Sequence, residues 1–134
     1  LDAFFAATSE ALTRTMGGSS GVLLAIFFSA AGQAAAGGAT WQDALGAGLD
    51  RMIAYGGAKP GDRTMIDALA PALAALPGGL AAAARAARAG ADATARLKTA
   101  RAGRSSYVSA AHLDGVPDPG AEAVALLFEA LARG

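Results

Sequence analysis

The chain has 134 residues, which is enough for one domain with a hydrophobic core. Its 11 basic and 11 acidic residues balance, so the sequence offers no general attraction to nucleic acid or to an anionic membrane. It has no cysteine, which excludes disulfides and thiolate metal sites. Hydrophobic residues make up 54% of the chain but aromatic residues only 6%, and the abundance of alanine and leucine favours helices. We expect an all-α, cytoplasmic domain without nucleic-acid or membrane contacts.

Helical spacing of apolar residues predicts three helices in the first half of the chain. The first covers residues 1–16. The second covers about 22–36, and its apolar run is too short to span a bilayer. Thr40, with Asp43 three residues later, is typical of the N-cap of a third helix, which ends near Gly57.

Three further helices are predicted in the second half, and no segment alternates with the period of a strand. Asp62 is a candidate N-cap for the fourth helix, the Ala-rich residues 80–101 favour a fifth, and Asp118 followed by proline begins a sixth. Residues 103–117 show no helical period, and a loop of that length in a compact domain is usually functional. The positions expected to face the core in the fourth and sixth helices are Met65, Ile66, Leu69, Leu73, Val124, Leu127, Phe128 and Leu131.

A glycine- and serine-rich segment, Gly-Gly-Ser-Ser-Gly at residues 17–21, directly precedes the second helix. The free N–H groups and the dipole at a helix start attract phosphate. The glycines let an anion approach the backbone, and Ser19 and Ser20 can donate further hydrogen bonds. A Gly-rich turn with a serine N-cap explains the same local pattern, so both interpretations stay open at this point.

Two later segments also carry candidate binding residues. In residues 61–65, Arg63 or Thr64 is placed to meet a phosphate and Met65 to pack against a base. A first helical turn with Met65 in the core is the commoner outcome for such a pattern. Arg104, in the long loop, can clamp a phosphate or a carboxylate with its planar guanidinium, whereas most arginines are solvated at the surface. The Gly-Lys-Ser/Thr ending of a P-loop is absent from the chain.

Four motifs then occur in order: MGGSSG at 16–21, KPGDRTM at 59–65, GRSSY at 103–107 and DPGA at 118–121. Together they resemble the nucleotide-binding L domain of dihydroxyacetone kinases. The resemblance runs from about residue 16 to the C-terminus. It is closer to the ATP-dependent, single-chain triose or tetrulose kinases than to the separate L subunit of the system driven by phosphoenolpyruvate.

The resemblance implies an antiparallel helical barrel or bundle with the nucleotide at one rim. It implies that Ser19 and Ser20 contact the phosphates and that Arg104 lies near the nucleotide as a phosphate contact. The residues that it places around the rest of the nucleotide are Gly56 and Met65 on the adenine side, and Asp118, Pro119 and Gly120 as the last wall of the site.

The implied function is that of the ATP-binding domain of a kinase that phosphorylates a short ketose such as dihydroxyacetone, with ATP or ADP and Mg²⁺ as cofactors. A different kinase domain or subunit would hold the ketose, through a covalent bond to a histidine there, and we expect a homo-oligomer. The alternative is an ADP-holding L subunit of a phosphoenolpyruvate-dependent dihydroxyacetone kinase, which acts through protein partners.

The start of the chain departs from the family pattern. The family carries an upstream Gly-Asp-x-Asp segment whose aspartates hold magnesium against the phosphates, and this sequence begins downstream of that place. Its own aspartates are dispersed, so we assign no metal ligand in the chain. We therefore expect residues 1–134 to form an L-type nucleotide-binding domain that lacks the metal-binding segment. We expect its barrel to be incomplete at the N-terminus and the isolated chain to be inactive.

Overall fold

The structure, a computed structural model, describes residues 18–97 and 115–134, together with Ala3 and Ala6, which are helical. Of residues 18–20 it describes the backbone alone. The described residues contain helices and no β-strand, which confirms the all-α class. The helices are α1 (Gly18–Ala36), α2 (Trp41–Gly56), α3 (Ile66–Ala75), a short 3₁₀ helix (Leu76–Gly78), α4 (Leu80–Thr94) and α5 (Pro119–Arg133).

Two predicted elements lie wholly or partly outside this range. The helix predicted over residues 1–16 is outside the described residues except at Ala3 and Ala6. The predicted fifth helix was expected to reach residue 101, but α4 ends at Thr94, and residues 95–96 form a turn. None of the helices in the described residues is long and apolar enough to cross a membrane.

The chain divides into two compact units, residues 1–57 and residues 58–134. In the first unit, α1 and α2 form a helical hairpin joined by residues 37–40. The Oγ1 atom of Thr40 accepts a hydrogen bond from the Asp43 amide at 3.2 Å, so the predicted N-cap is confirmed. Gly57 ends α2 in the left-handed conformation, with φ of 72°, and donates its N–H to the Ile53 carbonyl.

Small residues let the two helices of this hairpin approach closely. Ala31 of α1 and Ala44 of α2 are both fully buried and form the centre of an apolar cluster. Next along the hairpin, a side chain at Gly48 would meet the carbonyl oxygen and the ring of Phe27. The pairs advance in opposite directions along the two helices, so α1 and α2 are antiparallel.

In the second unit, α3, α4 and α5 pack against one another. The alanine-rich α4 permits close contact because its small side chains leave room for its neighbours. At Gly90 of α4, a Cβ atom would overlap the carbonyl oxygen of Asp67 in α3 and would lie 3.0 Å from the Cα atom of Ala68. On the side of α4 that meets α5, Arg88 forms ion pairs with Glu122 and Glu129.

The predicted inner faces of α3 and α5 are partly right. Met65, Ile66 and Leu69 are buried as predicted, and so are Val124 and Phe128 in α5, whereas Leu73 is half-buried. The prediction was wrong for two leucines of α5, which are about half exposed, Leu127 at 53% and Leu131 at 48%. The buried stripe of α5 instead includes Ala121 and Ala125, because alanines give the closest approach to α4 and turn the adjacent leucine stripe outward.

Candidate functional site

The first group of candidate residues lies at the start of α1. Helix α1 begins at Gly18, four residues earlier than predicted, so Ser19 and Ser20 belong to its first turn rather than to a preceding loop. The amides of a first helical turn have no partner within the helix, and the helix dipole is positive there. A first turn of this kind is suited to donate to an anion. The side chains of Ser19 and Ser20 lie outside the described atoms.

Gly56 lies at the same end of the hairpin as this first turn. A Cβ atom on Gly56 would lie 3.0 Å from Cδ2 of Leu23, which is one helical turn beyond Ser19. Gly56 is exposed, and any side chain there would displace Leu23. Gly56 and the first turn of α1 therefore lie at one end of the hairpin, and the roles of Gly56, Ser19 and Ser20 at a nucleotide stay predictions.

The second group begins in the loop that precedes α3. Asp62 was predicted to cap this helix, but α3 starts at Ile66, and Oδ2 of Asp62 accepts a hydrogen bond from the Lys59 amide at 3.1 Å. The reason is conformational, because Arg63 has a φ of 62° and a right-handed helix cannot include a left-handed residue. Thr64 follows within the same loop and is buried.

Asp67, in the first turn of α3, organises this loop instead. Its Oδ1 accepts from the Gly61 amide at 2.5 Å, and its Oδ2 accepts from the Thr64 amide at 2.8 Å. One carboxylate thereby satisfies two loop amides that would otherwise lack a partner. Sequence reasoning missed this role, although an acidic residue in a first helical turn is the signal that could have indicated it.

Arg63 is directed into the fold. Its side chain is 1% exposed, Nε donates to the Leu97 carbonyl at 3.1 Å, and Nη2 donates to the Val116 carbonyl. Nη1 lies 3.8 Å from Oδ1 of Asp118. The sequence interpretation of Arg63 as a phosphate contact did not anticipate these interior partners, and no local pattern signals them.

Four of the candidate residues meet where α5 begins. Asp118 caps α5, since its Oδ2 accepts from the Ala121 amide at 3.0 Å, and Pro119 occupies the first helical position, as predicted. A Cβ atom on Gly120 would lie 3.2 Å from Oδ2 of Asp118 and 3.2 Å from Cβ of Met65. Met65 is itself 5% exposed, so it is packed in the core and also forms part of this contact. The structure therefore places Met65 directly against the DPGA segment at residues 118–121.

The remaining candidate, Arg104, lies outside the described residues. Within the described ranges, no group of three or more His, Asp or Glu side chains is arranged to hold a metal ion.

A family profile described as the DAK2 domain matches residues 1–133. The chain belongs to the DAK2 domain family. This confirms the resemblance that the four ordered motifs carry. Among its relatives, the dihydroxyacetone kinase of Citrobacter freundii is 54% identical over 99% of this chain. The triokinase/FMN cyclase of Mus musculus is 44% identical over 92% of the chain.

Comparison with solved structures also finds similarity to a dihydroxyacetone kinase. The chain is similar to the crystal structure of the C. freundii dihydroxyacetone kinase in complex with AMP-PNP and Mg²⁺, with a TM-score of 0.82 and 50% identity over 99% of this chain. The native form of the same enzyme gives a TM-score of 0.83. In both comparisons the chain covers 23% of the solved chain, and it covers 25% of the C. freundii sequence. This domain thus spans about a quarter of the length of these relatives.

Proposed function

We propose that this DAK2 domain binds ATP or ADP with Mg²⁺ and serves as the nucleotide domain of a kinase for a short ketose such as dihydroxyacetone. The observation that carries the proposal is the 50% identity and TM-score of 0.82 to a dihydroxyacetone kinase whose structure contains AMP-PNP and Mg²⁺. A match of this kind over nearly the whole chain supports the same nucleotide function here. A second kinase domain or subunit would present the ketose, in a cytoplasmic homo-oligomer.

We propose a role for each candidate residue from the motifs that the chain shares with the kinase L domains. Ser19 and Ser20, with the backbone amides of the first turn of α1, bind the phosphates. Gly56 and Met65 line the adenine side, and the DPGA segment, which contacts Met65 through Gly120, forms the last wall. The domain positions the nucleotide and stabilises its charge, and it forms no covalent bond to it.

Arg104 is proposed as a further phosphate contact. A guanidinium offers a planar fork that binds two phosphate oxygens at once, which an ammonium group cannot do. We expect Arg104→Lys to lower kcat for ketose phosphorylation more than it weakens ATP binding. Steady-state kinetics with equal activity in the two proteins would make Arg104 an ordinary surface residue.

The central test is ATP binding by the complete natural polypeptide that carries this domain. Titration calorimetry with ATP and Mg²⁺ should detect binding, and a coupled ADP-release assay with dihydroxyacetone should detect turnover. In the double variant Ser19→Ala/Ser20→Ala, each lost hydrogen bond to a charged oxygen should cost about 1.5–3 kcal/mol of binding free energy. Ser29→Ala is the matched control, because Ser29 is exposed farther along the same helix. Unchanged ATP affinity in the double variant would refute the phosphate role of the two serines.

A further inference from the structure

Within the described residues, Arg63 connects the loop of residues 59–65 to Leu97, Val116 and Asp118. Its guanidinium donates to the carbonyl oxygens of Leu97 and Val116 and lies 3.8 Å from the carboxylate of Asp118. Leu97 follows the end of α4, and Val116 precedes the start of α5. One side chain therefore joins the loop that contains Met65 to the ends of two helices.

Two physical costs oppose this placement of Arg63. Its backbone is left-handed, with a φ of 62°, a region that residues other than glycine, asparagine and aspartate rarely adopt. Its charged side chain is 1% exposed and has lost its contact with water. Such conformations persist only where the surroundings determine them, and they are concentrated at functional sites.

Thr94 supports the same junction from α4. Its hydroxyl oxygen accepts from the Asp118 amide at 2.8 Å and its hydroxyl proton is donated to the Ala91 carbonyl at 2.5 Å. Thr94 is fully buried. Asp118 is thus held at its amide by Thr94 and at one carboxylate oxygen by Arg63, while the other oxygen caps α5.

We propose that Arg63 is a positioning residue for the nucleotide, which acts by fixing Met65 against Gly120; this inference rests on the proposed function. Met65 is two residues beyond Arg63, and Gly120 is two residues beyond Asp118. A fixed Arg63–Asp118 pair therefore sets the distance between Met65 and Gly120, the two residues proposed to flank the nucleotide. Arg63 does not touch the nucleotide in this assignment, and Thr94 assists it by accepting a hydrogen bond from the Asp118 amide.

The test is Arg63→Lys in the complete natural polypeptide, with steady-state kinetics at a temperature where both proteins are folded. Lysine keeps the charge but cannot reach Leu97, Val116 and Asp118 together, because it has one nitrogen in place of a three-nitrogen fork. We expect the KM for ATP to rise about tenfold, because Met65 and Gly120 would no longer be held at the spacing that fits the nucleotide. We expect kcat and the KM for the ketose to stay nearly unchanged. An unchanged KM for ATP would overturn the proposal.

A second pair of variants keeps the test decisive if Arg63→Lys does not fold. Thr94→Val removes the hydroxyl at nearly constant volume, whereas Thr94→Ser keeps it. We expect a raised KM for ATP in the valine variant and a value near wild type in the serine variant. Wild-type values in both would contradict the assignment.

Arg88→Lys separates positioning from simple loss of stability. Arg88 stabilises the contact of α4 with α5 through the ion pairs to Glu122 and Glu129, so this variant should unfold more easily yet keep the wild-type KM for ATP. An equal rise of KM in Arg88→Lys would show that stability, not positioning, is responsible. A wild-type protein that neither binds nor uses ATP would overturn the proposed function itself. A wild-type protein that uses ATP, with a KM that does not change in Arg63→Lys, would overturn only the role of Arg63.

Discussion

Arg88 of α4 binds Glu122 of α5 through two parallel hydrogen bonds, Nη1 to Oε1 at 2.7 Å and Nη2 to Oε2 at 3.0 Å. The same guanidinium donates to both carboxylate oxygens of Glu129, about two helical turns farther along α5, at 3.2 and 2.9 Å. Asp92 adds a longer contact within α4, at 3.4 Å. The cluster links two helices that carry Thr94 and Asp118, the supports of the candidate site.

Arg88→Lys should lower the free energy of unfolding by at most about 1 kcal/mol, since the groups are partly exposed to water and exposed pairs contribute little. The loss comes from the bidentate geometry, which lysine cannot reproduce. Urea denaturation measures it. Arg85→Lys is the control, because Arg85 is exposed on the same helix, and it should unfold like wild type. Equal midpoints for all three proteins would show that the cluster adds no stability.

The ion pairs of Arg88 with Glu122 and Glu129 should make the free energy of unfolding depend on pH. Hydrogen bonds from Arg88 hold the pKa values of Glu122 and Glu129 below their ordinary 4.5. The same bonds, to Glu122 first and then to Glu129, raise the pKa of Arg88. Because the folded pKa values of the carboxyls are depressed, their contribution to stability is present above pH 4.5 and is lost as the pH falls through the folded values.

We therefore expect wild type to be more stable than Glu122→Gln/Glu129→Gln at neutral pH, with the difference shrinking below pH 4.5. Denaturation curves at neutral pH and at about pH 3 measure the change. A difference between the two proteins that stays constant across this range would mean that neither carboxyl has a depressed pKa.

Local rules account for the parts of the fold that sequence predicted well. Thr40 and Asp118 are N-caps as predicted, because capping depends only on a side-chain acceptor and amides within three residues of it. Met65, Asp118, Pro119 and Gly120 were assigned to the site by resemblance, and the structure brings them together.

The predictions that failed concern residues whose burial or partners are decided by packing between segments that are distant in sequence. Whether Leu127 or Ala125 faces inward depends on how closely α4 approaches α5, and periodicity alone does not determine which of two adjacent stripes is buried. Arg63 finds its partners at residues 97 and 116, more than thirty positions away in sequence. No local pattern contains that information.

Gly90→Ala should destabilise the second unit strongly. The new methyl group would overlap the Asp67 carbonyl oxygen and lie 3.0 Å from the Cα atom of Ala68, so backbone must move. Overpacking of this kind costs about 1–3 kcal/mol or more. Gly46→Ala adds the same group in α2 where no atom of the described residues lies within 4 Å, and it should raise the free energy of unfolding by about 0.5–1 kcal/mol. Thermal denaturation of the two variants should give shifts of opposite sign, and two stabilised proteins would contradict the close α3–α4 contact.

The exposed leucine stripe of α5 should promote self-association of residues 1–134. Large apolar side chains that lie together at a surface are usually covered by another surface. We expect sedimentation analysis to show less association for Leu127→Gln/Leu131→Gln, with only a small change in the free energy of unfolding, because about half of each side chain is already exposed. Val124→Gln/Phe128→Gln, on the buried stripe, should fail to fold cooperatively. Association that is unaffected by the two exposed leucines would place the contact elsewhere.

Gly120→Ala should weaken ATP binding with little effect on folding. Alanine favours the first turn of α5 by about 1 kcal/mol, and this offsets the crowding that the methyl group creates. That methyl group would lie 3.2 Å from Cβ of Met65 and from Oδ2 of Asp118, so one of the two must move by a few tenths of an ångström. Because Met65 and the DPGA segment are proposed to contact the nucleotide, this shift should narrow the site and raise the Kd for ATP. Calorimetry on the complete natural polypeptide, with Gly46→Ala as the control for an added methyl group, measures the change. An ATP affinity equal to that of wild type would mean that the nucleotide does not depend on the contact between Met65 and Gly120.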